Sequence, residues 1–292
     1  MKACDYCGKE SEDVLVICAG CGADFPASIH QPEPPVIAPQ YLPLVPLAPR
    51  ELKAGLATAF FGVYLGTQLI GGFIAGFIAL FSSPFEPAQG VRVHGAILDA
   101  IMPWTIIVTM LMSGLAVMII AMSMQLTLND TSPTGPAWVR GSWRDIIKAL
   151  LTGVILAVLW VVLMTSFGHQ PQTDDELGPM TRMASTAGFG RVAWLIAALV
   201  LAPPVEELLF RGIFYAGYRK SFGAPVATLV TTTIFVLLHY PEFIHQPLAI
   251  VALTSMALIA LWWRLRSNAL GPSIAAHFGY NAVIAATLFL IP

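Results

Sequence analysis

The sequence predicts an all-α membrane protein: a multi-pass bundle of about seven transmembrane helices carrying a small N-terminal four-cysteine zinc knuckle. Three observations predict it. Of the 292 residues, 57% are hydrophobic and only 11% are charged, with a mean hydropathy of +0.74. A soluble domain would carry about 25% charged residues. Residues 54–81 and 100–128 contain no charge at all, and about 20 apolar residues are enough to span the hydrocarbon core. All four cysteines fall within the first 21 residues. The net charge of −2 carries no nucleic-acid signature. The N-terminus opens on cysteines and charges instead of a basic region followed by an apolar stretch, so no cleaved signal peptide is expected.

The cysteines read Cys4-x-x-Cys7 and Cys18-x-x-Cys21, each pair followed by a glycine, Gly8 or Gly22. Paired knuckles of this kind offer four thiolates at tetrahedral zinc spacing. Two disulfides or unligated thiols are the alternatives, and the doubled pattern favours structural zinc. Four ligands leave no open position for chemistry. Reduced thiolates imply the cytoplasmic side, where residues 1–30 could recruit a protein partner. Pro32, Pro34, Pro35, Pro39, Pro43, Pro46 and Pro49 follow. So dense a run cannot form a packed helix and reads as an extended linker over 31–50. Fully extended, it could reach roughly 60 Å at about 3.1 Å per residue. The membrane domain is then 51–292.

Seven membrane helices are expected at 52–81, 97–125, 145–167, 191–218, 224–241, 247–263 and 270–290. Pro203 and Pro204 interrupt the fourth, and such kinks are tolerated in membranes when neighbours satisfy the freed backbone groups. The distribution of basic residues sets the orientation. With the N-terminus in the cytoplasm, Lys2, Lys9, Arg50, Lys53, Arg140, Arg144, Lys148, Arg219, Lys220, Arg264 and Arg266 lie inside, against only Arg92, Arg182 and Arg191 outside. The acidic run Asp174-Asp175-Glu176 falls outside. The first helix carries Gly62-x-x-x-Gly66 and Gly72-x-x-x-Gly76, a spacing that lets helices approach closely. Packing within the bundle is the expected meaning, with dimerisation the alternative. The second helix holds Met102, Met110, Met112, Met118, Met122 and Met124. These read as a lipid-facing or core stripe, with a substrate-facing wall as the minority reading.

Three short patterns stand out in these apolar segments: Glu206-Glu207-x-x-x-Arg211, Phe235-x-x-x-His239 and His277-x-x-x-Asn281. Ionisable groups in hydrocarbon are expensive and usually face a bundle interior. Glu207 and Arg211 are four apart and can pair, whereas Glu206 points about 100° away. A structural salt bridge would explain Glu207 and Arg211 but not the extra glutamate. Alone, His239 could be a solvated helix-end group, and His277 with Asn281 could be interhelical glue. Together they can activate water and stabilise a charged transition state, which points to a membrane-embedded hydrolase. At about 1.5 Å per residue from the cytoplasmic ends, Glu206, His239 and Asn281 lie roughly 18, 22 and 16 Å deep, and His277 about 10 Å.

The run Ala202-Pro203-Pro204-Val205-Glu206-Glu207-Leu208-Leu209-Phe210-Arg211-Gly212 resembles the first motif of the CAAX prenyl protease and bacteriocin-processing family (CPBP, or Abi). Phe235 through His239 resembles the second motif and His277 through Asn281 the third, in the same order over roughly 190–290. The resemblance implies an intramembrane peptidase in an α-helical bundle, in a prokaryotic plasma membrane. By similarity Glu206 is the general base and His239 helps bind the attacking water. His277 and Asn281 position or stabilise the oxyanion, while Glu207, Arg211 and Phe235 support the site. The substrate would be a peptide bond of a membrane-associated or lipidated protein or peptide, with the lipid bilayer as the other partner. A catalytic metal stays open: two histidines and Glu206 could bind zinc, but they lack the compact H-E-x-x-H arrangement, which favours a metal-free site. Glu242 and His245, beyond Pro241, read as loop residues. A polar cavity open to the cytoplasm or sideways to lipid is expected around Glu206, His239, His277 and Asn281. The competing readings are a non-catalytic membrane adaptor or immunity protein on the same fold and, third, a transporter, which the lack of internal repeats disfavours.

Overall fold

The computed structural model describes residues 1–12, 15, 17–25, 51–82, 91–123, 126–167, 184 and 188–290. The proline-rich linker, Asp174-Asp175-Glu176 and Arg182 lie outside the described residues. Residues Met1–Ala48 and Pro49–Pro292 form two compact units.

The first unit is a pair of matching loops. Strands β1 (Lys2–Ala3) and β2 (Glu10–Ser11) pair antiparallel, and Ile17 bridges Asp24. Each loop is built the same way. Gly8 N–H donates to Cys4 O at 2.8 Å and Gly22 N–H to Cys18 O at 2.9 Å. Cys4 N–H donates to Lys9 O at 3.1 Å and Cys18 N–H to Ala23 O at 2.8 Å. Gly8 and Gly22 adopt φ of 70° and 74°, a region that a side chain would strain. Each chain reversal therefore depends on the glycine after its second cysteine.

The second unit is the helical bundle. Its helices are α1 (Ala54–Ser82), α2 (Val91–Ser123) and α3 (Trp143–Phe167). A long central run follows, made of α4 (Phe189–Leu195), a π-helical stretch Ile196–Leu201, α5 (Ala202–Glu207), a second π-helical stretch Leu208–Phe214, and α6 (Tyr215–Leu238). The short α7 (Tyr240–Phe243), α8 (Ala249–Ser267) and α9 (Leu270–Leu290) complete the unit. Among the described residues, five helices are long and apolar enough to cross a membrane, by length and composition. One of the five is the whole run Phe189–Leu238, 50 residues. As a single rod it would measure about 75 Å, more than twice a hydrocarbon core of about 30 Å. It is not a single rod, because Gly223 leaves helical geometry at φ 83° just ahead of Pro225. The run therefore reverses, as the expected segments at 191–218 and 224–241 require.

Helix ends follow local chemistry. Ser142 caps α3: Asp145 N–H donates to Ser142 Oγ at 3.1 Å, and Ser142 Oγ donates to Asp145 Oδ2 at 2.7 Å. Helix α8 ends on Asn268 in the left-handed region, with Arg264 and Arg266 in its last turn, where cations suit the helix dipole. One end of the bundle is tied together by such groups. Ala54 N–H donates to Ser221 Oγ at 2.9 Å, and Lys220 pairs with Glu51 at 3.1 Å. That lysine holds the Glu51 carboxyl below its ordinary range. Arg264 Nη2 donates to Gly135 O at 2.6 Å, and Leu270 N–H to Ala137 O at 2.9 Å.

Close helix crossings depend on small residues, though not at the expected glycines. Side chains added at Gly62, Gly66 or Gly76 would meet nothing within 4 Å, while Gly71 lies against Thr109 of α2. The tightest crossing joins α3 to α9. A Cβ at Gly153 would collide with the Ala276 carbonyl, and one at Gly279 with the Leu150 carbonyl. Gly153→Val is expected to lower the unfolding temperature in detergent, at a cost of about 1–3 kcal/mol for overpacking. Gly62→Val should leave it unchanged.

Candidate active site

The site grows out of a proline pair. Pro203 and Pro204 have no N–H to donate. Just before them, Ala202 N–H reaches back five residues to Ala197 O, so Ala198 O loses its usual partner. The next donor along a π-helix would be Pro203, which has none. Asn281 of α9 fills the gap, its Nδ2 donating to Ala198 O at 2.8 Å. A backbone defect thus fixes one of the site's polar side chains. Such π-helical turns recur at functional sites.

Glu206 and Glu207 diverge as their spacing requires. Glu207 is fully buried and faces three donors. Arg211 Nη1 is in ion-pair contact with its Oε1 at 3.0 Å, His277 Nδ1 lies 2.9 Å from the same oxygen, and Ser273 Oγ donates to Oε2 at 2.5 Å. The Arg211 guanidinium also lies over the Phe235 ring at 4.3 Å, a favourable cation–π geometry. Phe235 in turn contacts the His239 ring at 4.6 Å and the His277 ring edge-on at 6.2 Å between centroids.

Glu206 turns the other way. It is 6% exposed, and its Oε2 has no hydrogen-bond partner among the described residues. His277 Nε2 stands 3.9 Å from that oxygen. With Nδ1–H given to Glu207, His277 presents Nε2 toward Glu206. His239 is oriented by its own turn: Nδ1 lies 2.8 Å from Phe235 O. A carbonyl only accepts, so Nδ1 carries the proton and Nε2 is left as an acceptor. Glu206, His239, His277 and Asn281 all line one cavity of about 610 Å³.

All three sequence patterns therefore meet. Sequence reasoning missed the other members. Ser273 was detectable, because Ser273, His277 and Asn281 recur every four residues on one face of α9. Tyr64 and Gln68 of α1 also line the cavity, and Gln68 Nε2 is buried with no aligned acceptor among the described residues. Nothing in their local sequence marks them. Met110 lines it as well, so one member of the methionine stripe faces the cavity. His245, read as a loop residue, stands in that loop and lines the cavity rim.

The cysteines form a separate cluster. Cys4 Sγ lies 3.6 Å from Cys21 Sγ and Cys7 Sγ 3.6 Å from Cys18 Sγ, and all four sulfurs lie within 4.8 Å of one another. These are free thiols, not disulfides. Tetrahedral ligands about 2.3 Å from a zinc ion would be about 3.8 Å apart, so the donor set fits a metal ion. Backbone N–H groups of Gly20 and Cys21 pull the Cys18 thiol down to about 6, while its neighbours' sulfurs push Cys21 up to about 12.

Residues 188–283 match the Rce1-like family of type II CAAX prenyl endopeptidases. The match covers about a third of the chain and contains every residue of the three patterns. No curated protein and no solved structure matches. The family match supports an intramembrane peptidase as the general class, and the apolar helices fit an integral membrane protein. The first 187 residues, knuckle included, lie outside it.

Glu207 offers a direct test of the buried network. Glu207→Gln should destabilise the protein by about 3–5 kcal/mol, because it leaves the Arg211 charge buried and uncompensated. Ser273→Ala should cost about 1–3 kcal/mol for the lost charge-assisted bond. Thermal unfolding in detergent would measure both.

Proposed function

We propose that the protein is an intramembrane peptidase in which Glu206 is the general base. The observation that carries this reading is the Glu206 carboxylate, buried beside a cavity with an unpartnered oxygen 3.9 Å from His277 Nε2. A neighbouring structural salt bridge already uses Glu207 and Arg211 and leaves Glu206 unexplained. Glu206 and His239 Nε2 would hold a water between them. As that water attacks the scissile carbonyl, Glu206 takes its proton and passes it to the leaving amine. The remaining Asn281 N–H would face the oxyanion, where preorganised donors are most effective, and His277, held through Nδ1–H, would position the reacting groups beside it. Glu207 orients His277, as a carboxylate commonly orients a functional imidazole, and Arg211 and Phe235 keep Glu207 in place.

The metal-free form of this chemistry is the one we favour. Among the described residues, only the four cysteines bring three or more ligand atoms close enough to hold a metal. We assign that cluster to structural zinc, since four thiolates leave no open position. We place the bundle in a plasma membrane with the N-terminus of the chain in the cytoplasm, and its substrate is a peptide or membrane protein. The adaptor reading, with the knuckle recruiting a cytoplasmic protein, would not need a second buried glutamate whose Oε2 makes no hydrogen bond, set in a cavity.

Glu206→Gln should lower cleavage of membrane-protein substrates by roughly 10²–10⁴ and leave the unfolding temperature unchanged. A well-folded Glu206→Gln protein with full activity would overturn the mechanism. Elemental analysis should find about one zinc per chain, bound with thiolate stoichiometry, and deletion of residues 1–30 should remove it without preventing membrane insertion. Zinc retained after the deletion would point to a metal beside Glu206 instead.

A further inference from the structure

The cavity has a floor and a rim. Its floor is the buried pair Glu206 and His277. Its solvent-exposed lining residues are Thr165, Leu238, Pro241 and His245. These four share a position in the fold. Thr165 is two residues from the end of α3, Leu238 closes α6, and Pro241 and His245 lie in the connection to α8. Gln246, in the connection ahead of α8, and Thr287, near the end of α9, extend the same lining. Thr165, His245, Gln246 and Thr287 thus set polar groups beside Leu238 and Pro241 at this end, which gives a water-filled entrance its hydrogen-bonding partners.

The basic residues gather at the other end. Lys53 precedes α1, Arg144 opens α3, Arg219 and Lys220 precede the break at Gly223, and Arg264 and Arg266 close α8. The bonds from Ala54 to Ser221 and from Arg264 to Gly135 hold these segments together. That end is filled: Arg264, Tyr215 and Leu270 are fully buried there. Of the described bundle residues, Arg92 and Arg191 are the cations that start helices from the rim end.

Cationic ends of membrane helices face the cytoplasm. We infer that the cavity opens to the non-cytoplasmic face, and that its substrate is an apolar peptide segment presented from that face, such as an exported or membrane-inserted chain. This rests on the peptidase reading above and departs from the opening toward the cytoplasm or sideways to lipid that the sequence suggests. The walls suit such a chain. Trp160, Trp194, Met110 and Met256 line them, and aromatic and thioether groups adapt to varied apolar side chains. A lipidated tail lying on the cytoplasmic leaflet would meet the packed basic end instead.

Cysteine accessibility tests this independently of catalysis. The full-length His245→Cys protein is treated with a membrane-impermeant maleimide in intact spheroplasts and, separately, after permeabilisation. Peptide mapping scores the new cysteine apart from the four native ones. His245→Cys should label fully in intact spheroplasts, and Arg219→Cys only after permeabilisation. Thr165→Cys gives a second rim position should the first variant fold poorly. Rim labelling that requires permeabilisation, no rim labelling in either state, or labelling of Arg219→Cys in intact spheroplasts overturns the inference. Labelling does not depend on hydrolysis, so an inactive protein with an outward rim would sink the peptidase reading and leave this access geometry standing.

Discussion

One buried carboxylate organises the bundle. Glu207 has no contact with solvent, yet it draws Arg211 from its own helix and Ser273 and His277 from α9. An ionised group in such a place is tolerated only with well-placed partners, and removal of any one leaves charge exposed to a low-dielectric interior. That requirement locks the register of α9 against the central run. It also settles which face of His277 looks at Glu206. The neighbouring Glu206 keeps an oxygen without a hydrogen bond, with His277 Nε2 standing 3.9 Å from it.

The crossing of α3 and α9 supports the same arrangement from behind. Gly153 and Gly279 let the two backbones meet, directly beside Ala276 and therefore beside His277. Any side chain there would push α9 away from Glu207. The knuckle is a separate unit with its own logic. Two loops with the same hydrogen-bond pattern converge their sulfurs without help from a large core, since among the described residues only Cys4, Ser11, Cys18 and Phe25 are buried in it.

Much of this was legible in the chain. The charge-free runs marked helices, the separate spans expected at 191–218 and 224–241 anticipated the reversal, and the i, i+4 spacings put Glu207 with Arg211 and His277 with Asn281. The 100° step between consecutive helical residues separated the two glutamates correctly. The remainder depends on tertiary approach. The glycine pairs of α1 looked like a packing motif but mostly face open space, because the same spacing serves any close helix neighbour, present or not. Tyr64 and Gln68 sit in an ordinary apolar helix and gain meaning only from what stands opposite them. Ser273 was readable on the face it shares with His277. The partner of Asn281, Ala198 O, was not, because it is defined by a donor diverted at Ala202 and one absent at Pro203.

The two adjacent glutamates differ only by their rotational phase on one helix. Their side chains are the same, and the surroundings alone make one a buried anchor and the other a solitary group in a cavity. A single-residue insertion or deletion between Ala198 and Glu206 would rotate the pair by about 100° and slide the backbone gap away from Asn281. No side-chain substitution could correct that shift. The length of this short segment is therefore as much a part of the chemistry as the identity of its residues, and natural variation there should take the form of exchanges at constant length.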